Sequence, residues 1–405
     1  MLHSRYRYTR RGEGPPLNIL GIVAEYDPFH LGHLYHITEA KTRVRPDLTF
    51  VVLSPCIKQR GTLSLLSPAD RARCALQAGA DAVFALPVLW TVRDAEHYAL
   101  GSVSLLARLG VTHLAFGAEA EKDDLLARAA DLLESPPGLF RSRLKAALSE
   151  GAGYPAALSR AVSSFLPEAE NLLNRPNNIL AVSYLRAIRR LALSVTPVVI
   201  RRTGDYHAPA VDSRAPSASA LRDSLLRGSY AAAFGAMPGY AADLVRTRFL
   251  EGRIPDEKVL DALLIARLRS MSEYEYRRLP DLSEGLENAL REAAAVCRTR
   301  EELIGALSGR RYPAARISRL CACALLRVTE EQLASLPLPS EALLLGLRKN
   351  PEMTALWKAR QIPVVPSFTE WKKTAHPADP AAWSLWALCC GLADTLPFSE
   401  KVIAL

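Results

Sequence analysis

No apolar run in this 405-residue chain is long enough to cross a bilayer, which excludes a spanning helix. Its seven cysteines (Cys56, Cys74, Cys297, Cys321, Cys323, Cys389 and Cys390) include no CxxC pair of the kind that builds a zinc site. Their odd number also fails to close a disulfide framework. Cys321 and Cys323 lie in an apolar helical stretch and read as free buried thiols, so the chain reads as reduced and cytoplasmic. Residues 1–16 carry Arg5, Arg7, Arg10 and Arg11 but lack the apolar core of a signal peptide. Residues 1–17 therefore read as a basic, disordered extension. The chain has no internal repeat and no low-complexity tract.

What the chain does have is enough apolar sequence for a large core. With 49% hydrophobic and 23% charged residues, its length suits two domains. An excess of 51 Lys+Arg over 42 Asp+Glu gives a net charge of +9. That balance fits a nucleic-acid or other polyanionic partner, although many soluble enzymes are as basic without one.

The first half alternates strand and helix signals. Ile19 to Ala24 reads as a buried parallel strand and Leu34 to Thr42 as a helix. Leu48 to Leu53 is the second strand, and Ser67-Pro68-Ala69-Asp70 opens a helix with a cap, a proline and an acid in order. Ala82 to Leu86, Asp94 to Leu109 and Thr112 to Phe116 continue the alternation, and Val198 to Ile200 restores a strand after a helical stretch. The pattern implies an α/β fold with a doubly wound parallel sheet over residues 18–230, whose ligands lie outside the carboxyl ends of the strands. Residues 231–405 read as an α-helical domain, with a helix at Asn350 to Arg360 and a short strand at Ile362 to Val365.

The first strand runs into Glu25-Tyr26-Asp27-Pro28-Phe29-His30-Leu31-Gly32-His33, where a strand hands over to a helix N-terminus. Backbone N–H groups and the positive end of the helix dipole converge there, which suits a phosphate chain. Gly32 leaves room for a close backbone approach, and His30 and His33 suit charge stabilisation at a reacting phosphorus. Taken alone, the two histidines also fit ordinary helix-start positions. Ser217-Ala218-Ser219-Ala220-Leu221-Arg222 is a second candidate, since hydroxyls at a helix start with Arg222 one turn on can hold an anion. A serine-capped helix with a surface arginine explains it equally well.

The string from Gly21 to His36 resembles the opening of the bacterial tRNA(Met) cytidine acetate ligases, in the HIGH-type nucleotidyltransferase superfamily. The resemblance continues through Gln59-Arg60-Gly61, Glu96-His97-Tyr98, Pro176-Asn177-Asn178, Arg202-Thr203-Gly204-Asp205-Tyr206-His207 and Ala315-Arg316-Ile317-Ser318-Arg319. It implies a HIGH-type nucleotidyltransferase domain followed by an α-helical, tRNA-binding domain. It also implies a reaction in which ATP and acetate form acetyl-adenylate, and the acetyl group passes to N4 of the wobble cytidine of elongator tRNA(Met). His30 and His33 would be catalytic. Val23, Ala24, Asp27, Phe29, Gly32, Gly101, Asn177, Arg202, Ser217, Ser219 and Arg222 would contact ATP. No carboxylate cage for a metal is evident, so Mg²⁺ would arrive with ATP, although Glu25 and Asp27 could help to place it. Other readings are an adenylyltransferase for a small metabolite and a non-catalytic nucleotide- or RNA-binding paralogue.

The chain departs from that pattern at several points. Asp27 stands where the family usually has asparagine, and Ser54-Pro55-Cys56-Ile57-Lys58-Gln59-Arg60-Gly61 where relatives show Ser-Gly-Asn-Phe-Val-Gln-Arg-Gly. Pro68 replaces an expected lysine. These positions put the acetate pocket in question. For RNA, Arg310, Arg311, Arg316 and Arg319 cluster around Tyr312-Pro313, and Arg348, Lys349, Lys358, Arg360, Lys372 and Lys373 follow. Such charges contact phosphates, and Tyr312 or Trp371 could stack a base; equally, they could form a solvated face with core aromatics.

Overall fold

Ile19–Ala24 (β1) and Leu48–Leu53 (β2) are apolar at almost every position because helices cover both faces of their sheet. The computed structural model describes residues 17–120, 123–202, 216–283, 285–309, 311–349, 361–394 and 402–405. The basic extension (save residue 17), Thr203 to His207, Arg310 and the helix expected at Asn350 to Arg360 lie outside the described residues.

After β1 come α1 (Leu31–Val44), β2, α2 (Pro68–Gln77), β3 (Ala82–Ala85), α3 (Val88–Thr91), α4 (Ala95–Arg108) and β4 (His113–Ala118). Four helices follow, α5 (Asp123–Glu134), α6 (Gly138–Ser149), α7 (Tyr154–Ser163) and α8 (Pro176–Arg190), then β5 (Thr196–Arg201) and α9 (Ala218–Leu226). The strand order is β5-β4-β1-β2-β3, all parallel, with Ile22 opposite Val51 in β2 and Ala115 in β4. The chain runs outward from β1 to β3 on one side and then from β4 to β5 on the other. The direction of winding therefore reverses between β1 and β4, which opens a crevice at their carboxyl ends.

Alternate strand residues feed two cores. Ile19, Phe50, Val52 and Phe84 face α4, α5 and α8, whereas Ile22, Val51 and Leu53 face α1, α2 and α9. Local signals placed the helices well. The Ser67 hydroxyl accepts from Asp70 N at 3.0 Å and Pro68 takes the first position of α2.

The short strand expected at Ile362 to Val365 is present, but the region read as an α-helical domain also adds two further strands to the sheet. Ala342–Leu347 (β6) pairs antiparallel with β3, and Val364–Val365 (β7) and Ile403–Ala404 (β8) pair parallel with β6. A short leucine run satisfies helix and strand patterns alike, so its partner decides. Gly346 marks the fit, because a Cβ there would lie 2.8 Å from Leu76 Cδ1 of α2. The helices between Glu257 and Leu326 form a third core around Leu264, Leu290 and Leu320.

The C-terminal helix Ala378–Cys389 seals the first face, with Trp386 Nε1 donating to Ser64 O at 2.8 Å. Its Asp379, 1% exposed, accepts from Val88 N at 2.6 Å. Burial pushes the Asp379 carboxyl up to about 7; the Val88 N–H opposes the rise and Glu341 adds to it. The folded chain thus holds this proton more tightly than the unfolded chain, and stability falls as pH rises from about 4 to about 7. Asp379→Asn keeps an acceptor for Val88 N and removes the ionisation. It should gain about 2–4 kcal/mol more at pH 8 than at pH 4 in urea unfolding. Equal gains at both pH values would refute the assignment.

Candidate active site

The turn after β1 is built from buried rings. Tyr26 takes a left-handed φ of 49° and packs edge-on against Phe29 at 4.8 Å and His33 at 4.9 Å. Phe29, 1% exposed, also lies 5.6 Å from His33 and 6.2 Å from Tyr240. Its side chain therefore supports His33 from within the core. Half-buried Val23 and Ala24 lead into the turn from the carboxyl end of β1.

His30 is the N-cap of α1, and the two imidazoles form the capping box that serine and glutamate usually make. Nδ1 of His30 accepts from Gly32 N at 3.0 Å, and Nδ1 of His33 accepts from His30 N at 3.3 Å. Each Nδ1 is therefore the unprotonated nitrogen, which leaves an Nε2–H on each ring as the donor it can offer a ligand. The rings stack at 3.7 Å with planes 27° apart, an arrangement suited to two neutral imidazoles. Burial, with Arg202 second, pushes His30 down to about 3. Burial, His30, Arg202 and His36 hold His33 well below the ordinary imidazole range. Gly32 is needed for this cap, since a Cβ would sit 2.8 Å from His30 Cε1. Its bare backbone thus serves the histidine ring at least as directly as any ligand.

Arg202 follows β5, its N–H bonded to Ala118 O at 2.9 Å and its stem lying over Gly117. The structure therefore brings His30, His33 and Arg202 together at the switch point. His36, one turn after His33, joins them: burial and then Arg202 push it down to about 4, and its buried Nε2 has no hydrogen-bond partner.

Asp27 is not an exposed phosphate neighbour. It is 2% exposed, with Oδ2 2.5 Å from Lys58 Nζ and 3.5 Å from Arg222 Nη1, and Oδ1 accepting from Leu65 N at 2.6 Å. Burial acts to raise its pKa, but Lys58, Arg222 and Arg71 outweigh it and hold the carboxyl below its ordinary range. The charge that distinguishes it from asparagine is thus matched within the protein. Arg222 is placed beside the histidine turn by this carboxylate. Ser217 caps α9, accepting from Ala220 N at 3.2 Å, with half-buried Ser219 in the first turn.

Asn177 and Gly101 each have a partner within the protein. Asn177 Nδ2 donates to Glu119 just beyond β4, and Glu119 Oε2 also accepts from Asn178 N at 3.1 Å. Gly101 is explained by packing, because a Cβ there would lie 2.5 Å from the Trp90 ring. That contact by itself requires a glycine here.

The loop of Pro55 and Cys56 is well supported. Arg71, fully buried, donates to Glu25 O at 2.8 Å, Ser54 O at 2.9 Å and Pro55 O. Cys56 joins the core. Lys58, Arg71, Glu119 and His36 were not singled out as site residues from the sequence. The available signal was a charge inside an apolar context, as in Ile57-Lys58, but such a charge reveals its partner only once the chain is folded.

Two neutral Nε2–H donors beside a guanidinium, at the end of a helix axis, have the chemistry that suits a polyphosphate. Residues 17–388 match the HIGH Nucleotidyl Transferase family. A tRNA(Met) cytidine acetate ligase of Kosmotoga olearia is 31% identical over 375 residues, which cover 89% of this chain and 88% of that protein. The chain belongs to the tRNA(Met) cytidine acetate ligase family. The Acetivibrio thermocellus ligase is 32% identical over 377 residues, covering 89% and 91%. The crystal structure of Thermotoga maritima TmcAL in its apo form superposes with a TM-score of 0.90 at 25% identity, covering 96% of this chain and all of that one. The same protein bound with alpha-thio ATP gives 0.87 over the same shares at 25% identity.

Two residues considered for RNA contact are engaged within the protein: Trp371 is 2% exposed and packs on Phe368, and Arg348 donates to Leu76 O.

Proposed function

We propose that the chain activates acetate with ATP and acetylates N4 of the wobble cytidine of elongator tRNA(Met), in the cytoplasm. The observation that carries this reading is the pair of stacked, neutral imidazoles beside Arg202 at the switch point, in a chain matching the ligase family over most of its length. An acetate oxygen attacks the α-phosphorus of ATP and the bond to the bridging oxygen of pyrophosphate breaks. The N4 amine then attacks the acyl carbon, loses a proton, and AMP leaves.

Adenylation asks the protein mainly for in-line positioning and for donors to the oxygens that gain charge. His30 and His33 supply uncharged N–H donors, and Arg202 supplies the cation. Arg222 and the start of α9 are suited to flank the phosphates. Mg²⁺ comes with ATP on this reading. Asp27 is engaged by Lys58, Glu25 accepts from Gln59 N at 2.7 Å, and no cluster of three or more His, Cys, Asp or Glu could hold a metal among the described residues. Residues 18–230 would handle ATP, and the helices after 231 would dock tRNA while β6 to β8 return to the sheet.

Acetate-dependent exchange of pyrophosphate into ATP should be measurable without tRNA. Incubation with tRNA and isotopically labelled acetate should give labelled N4-acetylcytidine by nucleoside mass spectrometry. Exchange that ignores acetate, or nucleotide transfer to a small metabolite in its place, would overturn the reading.

A further inference from the structure

The loop carrying Lys58 ends against the helix Ala314–Leu326. Gly61, at φ 74°, lies so close that a Cβ would stand 2.5 Å from Ser318 O and 2.6 Å from Arg319 N. The helix begins at Ala314, about 6 Å along its axis from Ser318, and Tyr312 immediately precedes its Pro313 cap. Two guanidiniums lie over the Tyr312 ring, with Arg311 Cζ 5.4 Å and Arg316 Cζ 5.5 Å from the centroid.

The two arginines differ. Arg316 donates to Asp281 O at 2.6 Å and lies 3.0 Å from its carboxylate, so its charge is already matched. Arg311 is exposed. The ring is half-buried, and Tyr312 OH accepts from Ser283 Oγ at 3.3 Å, which holds its plane. Because one of the two charges is neutralised, the patch offers planar π surface more than net charge. That suits a nucleobase better than an acidic peptide.

We propose that Arg311, Tyr312 and Arg316 form a stacking platform for an unpaired base of the acceptor RNA, beside the Gln59–Gly61 loop. An exposed guanidinium over tyrosine adds only about two- to fivefold to an equilibrium constant. A base stacked on an aromatic adds about five- to a hundredfold. An arriving base therefore displaces Arg311 from the ring or stacks on its guanidinium, and Arg311 becomes available to a phosphate. Arg316 stays on Asp281. The proposal rests on the reading that tRNA is the acceptor.

The test uses the full chain, an elongator tRNA(Met) transcript, binding measured across a salt series, and acetate-dependent exchange without RNA. Tyr312→Leu should weaken tRNA binding about tenfold or more, whereas Tyr312→Phe should stay within about twofold. Arg311→Gln, at an exposed position, should weaken binding and make the plot of log affinity against log salt shallower by about 0.7. All three should retain exchange. Wild-type binding by Tyr312→Leu, or an unchanged salt slope in Arg311→Gln, would overturn the platform. A wild-type protein that binds tRNA through these residues but shows no acetate-dependent exchange would support the platform and refute the parent activity.

Discussion

Lys58→Met is expected to cost about 3–5 kcal/mol of folding stability, and Asp27→Asn a similar amount, while the double variant lies within about 1–2 kcal/mol of wild type. The reason is burial. Lys58 Nζ and Asp27 Oδ2 are 2.5 Å apart with side chains 4% and 2% exposed, so removing one strands the other's charge away from water. Replacing both leaves an uncharged contact of similar volume, which is commonly neutral. Arg222 and Arg71 still attract Asp27 when Lys58 is lost, so that single change should fall at the low end of the range. Urea unfolding of the four proteins gives the coupling energy directly. Additive single effects, or singles within about 0.5 kcal/mol of wild type, would sink the account. The pH dependence has a definite sign. The folded Asp27 pKa is lowered, so the pair's stabilisation is present above the unfolded carboxylate pKa and lost as pH falls through the lowered folded value.

His33→Ala is expected to reduce acetate-dependent exchange about 10²- to 10³-fold, the loss associated with one positioned donor at a reacting centre. The change falls on kcat more than on the KM for ATP if the bond strengthens as charge develops. His30→Ala should cost as much in rate and, in addition, about 0.5–2 kcal/mol of stability, because its Nδ1 caps α1. Both rings are neutral with depressed pKa values, so neither should produce a break in the exchange–pH profile between pH 6 and 8. In stability the same depression acts in acid. The unfolded histidines take up protons below about pH 6.5 and the folded ones do not until far lower, so stability falls as pH drops. A rate that tracks an imidazole of ordinary pKa would show that the rings act as acid or base and not as fixed donors.

The amino-acid sequence alone determined the parallel half of the fold and the strand-to-helix turn on which the candidate site is read. Apolar six-residue runs with helices between them admit only a sheet covered on both faces, and a strand ending in Asp-Pro-Phe-His before a helix marks a phosphate-binding turn. These are local signals, carried by residues within a turn or two of each other. Only the tertiary structure decided what depends on partners far along the chain. It placed Ala342–Leu347 on the sheet edge, because β3 offered unpaired backbone that a leucine run could complete in either conformation. It gave Asp27 a buried ion-pair partner, set Gly101 against Trp90, and packed the Phe29 ring in the core. Lys58 and Asp27 are 31 residues apart, and Gly61 and Ser318 more than 250. No periodicity records such neighbours, because burial and charge compensation are properties of a packed interior, and that interior exists only after folding.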